Sequence, residues 1–404
     1  MIIYQIFPDR FFRGSAKKAS HHLREWGEAP SRTSFFGGDL NGITQKMDYI
    51  QSTGAEAIYL TPIFDSPSTH KYDTADYFKI DEGFGTSGDL DSLITAAHNR
   101  GIKVFIDGVF NHTGLYFFAF RDIRNKGRAS RYYHWYNIYS TPLTTTPKPS
   151  YEDAGIYYIP KLNHDNPEVV DYLCSVIQFW SEKGIDGWRF DMPWCIKADV
   201  VNRLIDCGRE INPGLIFIGE AWGYPDEILN RCHFDGAMDY TVRDSLIGLL
   251  TGKETIQQFI DKLHHKTSGK RDRNWNMLSS HDTPRIRGVL RNNIGKVLTA
   301  QAVQFFLPGD PVIYYGDEIG LFGGKDPDCR RTFNWNKREW NDVIYRNILE
   351  LSELRRSRPL YFLNGSCAME QKNDKLIIRR ILKNKNISLY IDLIKNTYSI
   401  LNDA

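Results

Sequence analysis

Short apolar segments alternate with helical patterns along most of this chain of 404 residues, and this alternation does most to limit its fold. A strand, helix, strand order is typical of βαβ units, in which parallel strands share one sheet and helices cover it. Eight such segments predict eight strands, which close into a barrel. The predicted strands are residues 2–7, 55–60, 102–109, 185–190, 215–219, 234–237, 274–279 and 311–315. The predicted fold class is therefore α/β, a (β/α)8 TIM barrel.

Helices are predicted between these strands, at residues 43–52, 89–99, 167–183 and 296–306. Ser87 is the expected N-cap of the second helix, because its hydroxyl can accept a hydrogen bond from an N–H of the first turn. Asn166 is the expected N-cap of the third helix, with Pro167 in the first turn, where the missing N–H removes no hydrogen bond.

The regular order is interrupted twice. In residues 112–165 the alternation of strand and helix patterns stops, and aromatic and turn-forming residues are clustered instead. This predicts a subdomain inserted after the third strand. Beyond residue 358, β-like segments at 376–382 and 387–391 predict a small C-terminal antiparallel β domain. The expected organisation is a barrel in two parts, 1–111 and 166–358, with the inserted subdomain at 112–165 and the β domain at 359–404.

Charge and cysteine usage point to a soluble protein with a neutral partner. The 51 basic and 49 acidic residues leave a formal charge of +2, which argues against a nucleic acid or a membrane surface as partner. No segment has the roughly 18 apolar residues of a membrane span. The six cysteines show no C-x-x-C pair and the first residues show no secretion signal, so we expect free thiols in the cytoplasm.

Four clusters of polar residues follow predicted strands, where the active site of a TIM barrel lies. They contain Asp107 and His112, Arg189 and Asp191, Glu220, and His281 with Asp282. Any single Asp after a strand is better explained as a helix cap or a loop hydrogen bond. Helix capping does not require all of these side chains at successive strand ends, so the set as a whole predicts a catalytic site.

Three carboxylates and an arginine at one barrel mouth suit the hydrolysis of a glycoside with retention. One carboxylate attacks the anomeric carbon, and a second, protonated one gives its proton to the leaving oxygen. A third can favour the positive charge of the transition state. An arginine two residues before the nucleophile keeps that nucleophile ionised.

The segments Asp-Gly-Val-Phe-Asn-His, Gly-Trp-Arg-Phe-Asp, Gly-Glu-Ala-Trp and Ser-His-Asp occur in this order. They resemble the four motifs of glycoside hydrolase family 13, the α-amylase family, and the resemblance covers nearly the whole chain. It implies that Asp191 is the nucleophile, Glu220 the general acid/base and Asp282 the stabiliser of the transition state. It also places Arg189, His112 and His281 around the sugar that is cleaved.

Four further segments are Tyr-Gln-Ile-Phe-Pro-Asp-Arg-Phe at residues 4–11, His-Lys-Tyr-Asp-Thr-Ala-Asp-Tyr at 70–77, Pro-Lys-Leu-Asn at 160–163 and Asp-Pro-Asp-Cys-Arg at 326–330. They resemble the neopullulanase, cyclomaltodextrinase and maltogenic amylase branch, although the chain starts at the barrel, without that branch's N-terminal β-domain. The resemblance implies that Tyr72 stacks under the cleaved sugar and that Asp326 and Arg330 bind the next ring. Core packing is the alternative for Tyr72, and a surface ion pair is the alternative for Asp326 and Arg330. Trp194 stands where the branch has a different sequence, and it either stacks on an acceptor sugar or packs.

These residues predict a hydrolase of α-1,4-glucans or maltooligosaccharides. A 4-α-glucanotransferase is the alternative enzyme, because a sugar hydroxyl can replace water in attacking the same intermediate. A catalytically silent binding module is a third reading. Relatives of that kind lose catalytic residues and carry a membrane span, whereas this sequence keeps the residues and shows no such span.

No cofactor is expected, and the structural calcium ion of many α-amylases is not favoured. Calcium needs about 6 to 8 oxygen ligands. The family site uses an asparagine, here Asn111, and a histidine backbone whose position is Cys195 in this chain. The inserted segment is poor in acidic residues, and Lys17 and Lys18 add positive charge near the start of the barrel.

We therefore predict that dialysis against excess EDTA leaves both activity and melting temperature unchanged. The check is to measure both before and after calcium is added back. A large loss of either that calcium reverses would contradict the prediction.

Overall fold

The computed structural model describes residues 1–15, 22–267 and 273–402. Eight parallel strands form a closed barrel, as the sequence predicts. In chain order the strands are β1 Ile3–Ile6, β2 Ala57–Leu60, β3 Phe64–Asp65, β4 Asp76–Ile80, β5 Lys103–Gly108, β6 Gly187–Phe190, β7 Ile216–Gly219, β8 Gly236–Asp239, β9 Trp275–Asn276, β10 Asp310–Tyr314, β11 Ser366–Lys372, β12 Lys375–Leu382, β13 Lys385–Asp392 and β14 Thr397–Asn402. The barrel order is β1, β2, β5, β6, β7, β8, β9, β10, and β10 pairs with β1.

Helices cover the outside of the barrel. They are α1 Leu40–Gln45, α2 Met47–Ser52, α3 Ser87–His98, α4 Phe118–Lys126, α5 Pro167–Glu182, α6 Ala198–Ile211, α7 Pro225–Leu229, α8 Tyr240–Leu250, α9 Ile256–Lys262, α10 Ile286–Val289, α11 Ile294–Phe306, α12 Asp342–Ser357 and α13 Pro359–Leu363. Short 3-10 helices lie at Pro8–Arg10, Gly127–Ala129, Tyr133–Trp135, Pro193–Cys195, His264–Lys266, Asp328–Arg330 and Lys337–Glu339.

The barrel interior is filled by its own cluster of apolar side chains, separate from the larger core between strands and helices. Its buried members are Ile3, Ala57, Tyr59, Phe105, Ile216, Ile218, Met238, Tyr240, Trp275, Met277 and Val312. Because all eight strands are parallel, their carboxyl ends lie at the same end of the barrel. The polar residues that follow the strands therefore meet there.

Three of the four predicted helix starts differ in the structure, and α11 begins at Ile294 instead of residue 296 because the Asn293 side chain accepts a hydrogen bond from the Lys296 N–H. The helix expected at 43–52 begins earlier, at Leu40, because the side chain of Asp39 accepts a hydrogen bond from the Gly42 N–H. It is also divided in two, since Lys46 leaves the helical conformation (φ −100°, ψ 11°). Ser87 is not the cap of α3.

Thr86 is the N-cap of α3 instead, because Asp89 is three residues beyond it and the two residues form a capping box. The expected cap of α5 is confirmed: the Asn166 side chain accepts from the Glu168 N–H.

The seventh barrel strand is shorter than predicted and is limited to β9. Beyond it, side-chain hydroxyls compete with the ladder for backbone groups. The Ser279 hydroxyl accepts from the Ile286 N–H at 2.9 Å, and the Thr283 hydroxyl accepts from the Ser280 N–H at 2.9 Å. These bonds turn the chain away from the sheet just before His281.

Between β5 and α5 the chain leaves the barrel and forms α4, short 3-10 turns and isolated bridges such as the one between Ile138 and Tyr151. At the other end of the chain, β11, β12, β13 and β14 form an antiparallel sheet in that order. The sequence identified β12 and β13 but missed the flanking strands. The four domain limits remain predictions. In the described part of the chain, no helix combines the length and the apolar composition that a bilayer span requires.

One expectation about the cysteines is wrong. Cys174 on α5 and Cys207 on α6 form a disulfide bond, with 5.6 Å between their Cα atoms. The two helices pack side by side around the barrel, which brings together residues separated by 33 positions, so no local spacing could reveal the pair. The disulfide removes the cysteine argument for a reducing compartment.

Candidate active site

A cleft of about 880 Å³ opens at the carboxyl end of the barrel. Its walls combine residues from the strand ends with residues of the inserted segment, such as Ile156 and Tyr158. All ten residues predicted for the site line it or contact residues that line it. Those that line it directly are Tyr72, His112, Asp191, Trp194, Glu220, Asp282, Asp326 and Arg330. Arg189 and His281 lie beneath, each fully buried.

The Arg189 guanidinium is the centre of the site. Asp107 and Arg189 are register partners on β5 and β6, so their side chains project from the same face of the sheet. Nη1 of Arg189 donates to both oxygens of Asp107, at 2.9 and 3.0 Å, and to Oδ1 of Asp191 at 3.0 Å. Nη2 lies 3.0 Å from Oε2 of Glu220 as a charge contact. One buried cation therefore faces three carboxylates.

The two carboxylates predicted to do the chemistry differ in their hydrogen bonds. Glu220 accepts from the Met192 N–H at 2.9 Å and from the Trp222 indole N–H at 2.8 Å. Among the described residues, Asp191 accepts only the bond from Arg189. Burial raises the pKa of Asp191 and the charge of Glu220 adds to this rise, while Arg189 opposes it. The Asp191 carboxyl thus holds a proton more strongly than an exposed aspartate would.

Asp282 lies in a different electrostatic setting. Burial raises its pKa, but His281 and Arg330 outweigh that effect, and the pKa lies below the ordinary value. Nε2 of His281 is 3.0 Å from Oδ2 of Asp282, and Nη2 of Arg330 donates to Oδ1 at 3.2 Å. Asp282 is therefore the carboxylate that stays ionised.

Tyr72 joins the two sides of the cleft. Its hydroxyl donates to Oδ2 of Asp107 at 2.9 Å and lies 2.5 Å from Nε2 of His281, and the two rings are nearly parallel. The backbone oxygen of Tyr72 contacts Nε2 of His112 at 3.0 Å. Burial lowers the pKa of His112 to about 4, so its imidazole is neutral at neutral pH. Tyr72 is half-buried at the cleft rather than enclosed in the core.

Asp326, Arg330 and Trp194, which were predicted to contact neighbouring sugars, also lie at the cleft. Arg330 forms an ion pair with Asp326, at 3.0 Å, as well as with Asp282. This pair lies against the cleft and not on a remote surface. Trp194, on the 3-10 helix Pro193–Cys195, is 46% exposed, so it is not a core residue.

The sequence analysis assigned no role to several residues that complete the site. Asp107 binds Arg189, Tyr59 donates to Asp107 at 2.6 Å, and Trp222 donates to Glu220. Asp107 and Trp222 lie within the motifs quoted above. The position of the Asp107 carboxylate at a strand end could have indicated its role in the site. Nε2 of Gln5 lies 2.9 Å from Nδ1 of His281, and Tyr59 lies within β2. The contacts of both residues depend on how neighbouring strands are aligned, which the sequence does not show.

The fit of calcium was tested on the described residues. Asn111 Oδ1 is buried and has no hydrogen-bond partner there, which is what a ligand oxygen would show. However, the described residues contain no group of three or more His, Cys, Asp or Glu side chains that could hold a metal ion. Calcium needs about 6 oxygen ligands, which backbone carbonyls can also supply, so independence from calcium stays a prediction. Lys17 and Lys18 lie outside the described residues.

A family model described as the alpha amylase catalytic domain matches residues 5–351. The chain is 37% identical to a cyclomaltodextrinase of Thermoanaerobacter pseudethanolicus over 97% of its own length and 70% of that protein. It is 35% identical to an intracellular maltogenic amylase of Bacillus subtilis, covering 95% of this chain and 66% of the relative. The chain thus spans about two thirds of these curated relatives.

Among solved structures, a cyclic α-maltosyl-(1→6)-maltose hydrolase of Arthrobacter globiformis superimposes with a TM-score of 0.95. It is 32% identical and matches 100% of this chain and 98% of its own. The fold and the site define a glycosidase of the TIM-barrel class. Within that class, the chain belongs to the α-amylase family.

Replacing the central guanidinium tests the electrostatics of the site. We predict that Arg189→Gln lowers the free energy of unfolding by about 3 to 5 kcal/mol at pH 8, because it leaves buried carboxylates without a counter-charge. The loss should be smaller at pH 5. A carboxyl such as Asp191, whose pKa is raised on folding, destabilises the fold only as the pH rises above its unfolded value of about 3.9.

Urea unfolding at the two pH values measures the difference, with Arg203→Gln on the surface of α6 as control. An equal loss at both pH values would contradict the assignment of Arg189 as the counter-charge of the site.

Proposed function

We propose that this protein hydrolyses α-1,4-glucosidic bonds of maltooligosaccharides and related α-glucans with retention of configuration. The observation that carries the proposal is the contact of Asp191 and Glu220 with the same Arg189 guanidinium. Sharing one guanidinium keeps the two carboxyl groups close, which favours the separation of about 5 Å found in retaining glycosidases.

In the proposed first step, Glu220 gives its proton to the glycosidic oxygen while Asp191 attacks the anomeric carbon. The bond to the leaving sugar breaks and an ester to Asp191 forms. In the second step, Glu220 takes a proton from water, whose oxygen attacks the anomeric carbon and releases Asp191. Each half-reaction returns Glu220 to the protonation state that the other half-reaction needs.

The surrounding residues supply orientation and charge. Asp282, held ionised by His281 and Arg330, favours the positive charge that develops on the sugar ring in the transition state. Tyr72 offers a ring face to the same sugar, and Asp326 with Arg330 offers hydrogen bonds to the next one.

The electrostatic setting of Asp191 bears on its proposed role. Burial raises the pKa of Asp191 and the charge of Glu220 adds to the rise, while Arg189 opposes it. Arg189 donates to Asp191 and thus favours negative charge on the nucleophile.

A 4-α-glucanotransferase remains the second candidate, because the cleft extends past Glu220 on the leaving side and admits a sugar as acceptor. The names of the relatives favour hydrolysis of maltooligosaccharides and of cyclic glucans. We also propose a cytoplasmic location, on the ground of the relative named an intracellular maltogenic amylase; cell fractionation tests it against the contrary indication of the disulfide.

The direct test is to replace the reacting carboxyls. Asp191→Asn and Glu220→Gln should each lower kcat on maltoheptaose by about a factor of 10³ or more, because each removes a bond-making or proton-transferring group. The melting temperature should stay within a few degrees of that of the unaltered protein. Chromatography of the products measures the activity.

Asp206→Asn, an exposed carboxylate on α6, is the matched control and should keep full activity. Near-normal turnover in either active-site variant would overturn the proposal. Products with inverted anomeric configuration by NMR would overturn the retaining mechanism alone.

A further inference from the structure

The two oxygens of Glu220, the proposed general acid, have different neighbours. Oε2 accepts from the Met192 N–H at 2.9 Å and lies 3.0 Å from Nη2 of Arg189. Oε1 accepts from the Trp222 indole N–H at 2.8 Å. Because Oε2 faces two donor groups and Oε1 faces one, Oε1 is the oxygen with more room for a transferable proton. The position of the indole N–H therefore bears on the direction of that proton.

Trp222 lies where the local backbone alone does not fix its ring. It belongs to an irregular segment between β7 and α7, is followed by Gly223, and is 47% exposed. A half-exposed side chain on a loop samples several rotamers unless a neighbour restricts it. The indole N–H can orient Oε1 of Glu220 only if such a neighbour is present.

Tyr240 restricts the Trp222 ring. The planes of the two rings differ by 1°, with 4.3 Å between the ring centroids. Tyr240 is the first residue of α8, directly after β8, and it is only 1% exposed, within the apolar cluster that fills the barrel. One face of the Trp222 ring thus lies on a rigid part of the core, and the ring contact stabilises this arrangement.

The Tyr240 hydroxyl is anchored on the segment that carries Asp282. It donates to Oγ of Ser280 at 2.9 Å, and burial raises the pKa of Tyr240, so the hydroxyl keeps its proton as a donor. The same Ser280 oxygen accepts from the Asp282 N–H at 3.2 Å. A chain of contacts therefore runs from Glu220 through Trp222 and Tyr240 to this segment.

We propose that Tyr240 is a positioning residue for acid catalysis: its ring fixes the Trp222 indole, whose N–H in turn orients the proton-bearing oxygen of Glu220. This inference rests on the proposed function. The indole N–H also favours the negative charge that Glu220 acquires when its proton moves to the leaving oxygen. Tyr240 itself is too deeply buried to contact the sugar, so its contribution lies in proton transfer and not in binding.

The test uses a series of aryl α-maltosides that differ in the acidity of the leaving phenol. A weakly acidic phenol needs the proton of Glu220 in order to leave, whereas a strongly acidic phenol leaves without it. The measured quantity is the slope of log(kcat/KM) against the pKa of the phenol, because kcat/KM reports the step that breaks the glycosidic bond. The unaltered enzyme should show a shallow slope.

Tyr240→Leu should steepen this slope. We expect kcat/KM to fall about 100-fold for the least acidic phenol and by less than about threefold for the most acidic one, because a misdirected proton forfeits general acid catalysis. Tyr240→Phe keeps the ring and loses only the hydroxyl, so its slope should equal that of the unaltered enzyme. In Trp222→Phe, which lacks the indole N–H, adding Tyr240→Leu should steepen the slope no further.

Tyr398→Leu is the matched control. Tyr398 lies on β14, and its hydroxyl donates to Asn347 on α12, outside the cleft. This variant should melt at a lower temperature and keep the slope of the unaltered enzyme. If Tyr240→Leu fails to fold, Tyr240→Met fills the same space with a flexible chain and carries the same expectation.

An unchanged slope in the Leu or Met variant of Tyr240, with or without an equal loss for every phenol, would overturn this inference while leaving the proposed function intact. So would a steeper slope in Tyr240→Phe, or additive steepening in the double variant. A steep slope in the unaltered enzyme, or no turnover of any maltoside, would overturn the proposed role of Glu220 and the inference with it.

Discussion

The site depends on one buried cation. Removing the Arg189 guanidinium from water costs several kcal/mol, and the carboxylates of Asp107, Asp191 and Glu220 offset that cost only because they surround it within 3.0 Å. The barrel makes this arrangement possible, since neighbouring parallel strands place Asp107 and Arg189 in register. The charge that holds the carboxylates together is the same charge that, in the proposed mechanism, favours the ionised form of Asp191 as nucleophile.

A second group of contacts keeps the third acidic residue apart from this centre. Asp282 is bound by His281 and Arg330, and the Tyr72 hydroxyl connects His281 with Asp107. The three proposed roles thus follow from three environments. Among the described residues, Asp191 accepts from Arg189 alone, Glu220 accepts on both oxygens, and Asp282 contacts His281 and Arg330. Carboxyl groups can have different roles because the fold gives each of them a different electrostatic environment.

Most of the architecture was visible in the sequence, because strand and helix periods and their terminators are local signals. The strand ends at Asp191 and Glu220 were predicted for the same reason. Features that depend on register or on distant packing were not visible. The disulfide between Cys174 and Cys207, the binding of Asp107 to Arg189 and the stacking of Trp222 on Tyr240 all require the relative position of separate elements of the chain. The cap at Thr86 was missed because the adjacent serine is an equally good candidate.

The central claim is that Asp191 forms a covalent bond to the sugar. The most direct measurement is to incubate the enzyme with a fluorinated α-glucosyl fluoride, whose second fluorine slows hydrolysis of the intermediate, and to locate the added mass by peptide mass spectrometry. The account predicts one glycosyl group per molecule, on the peptide and the side chain of Asp191, and no label in Asp191→Asn. A label on another residue, or inactivation without any covalent label, would contradict it.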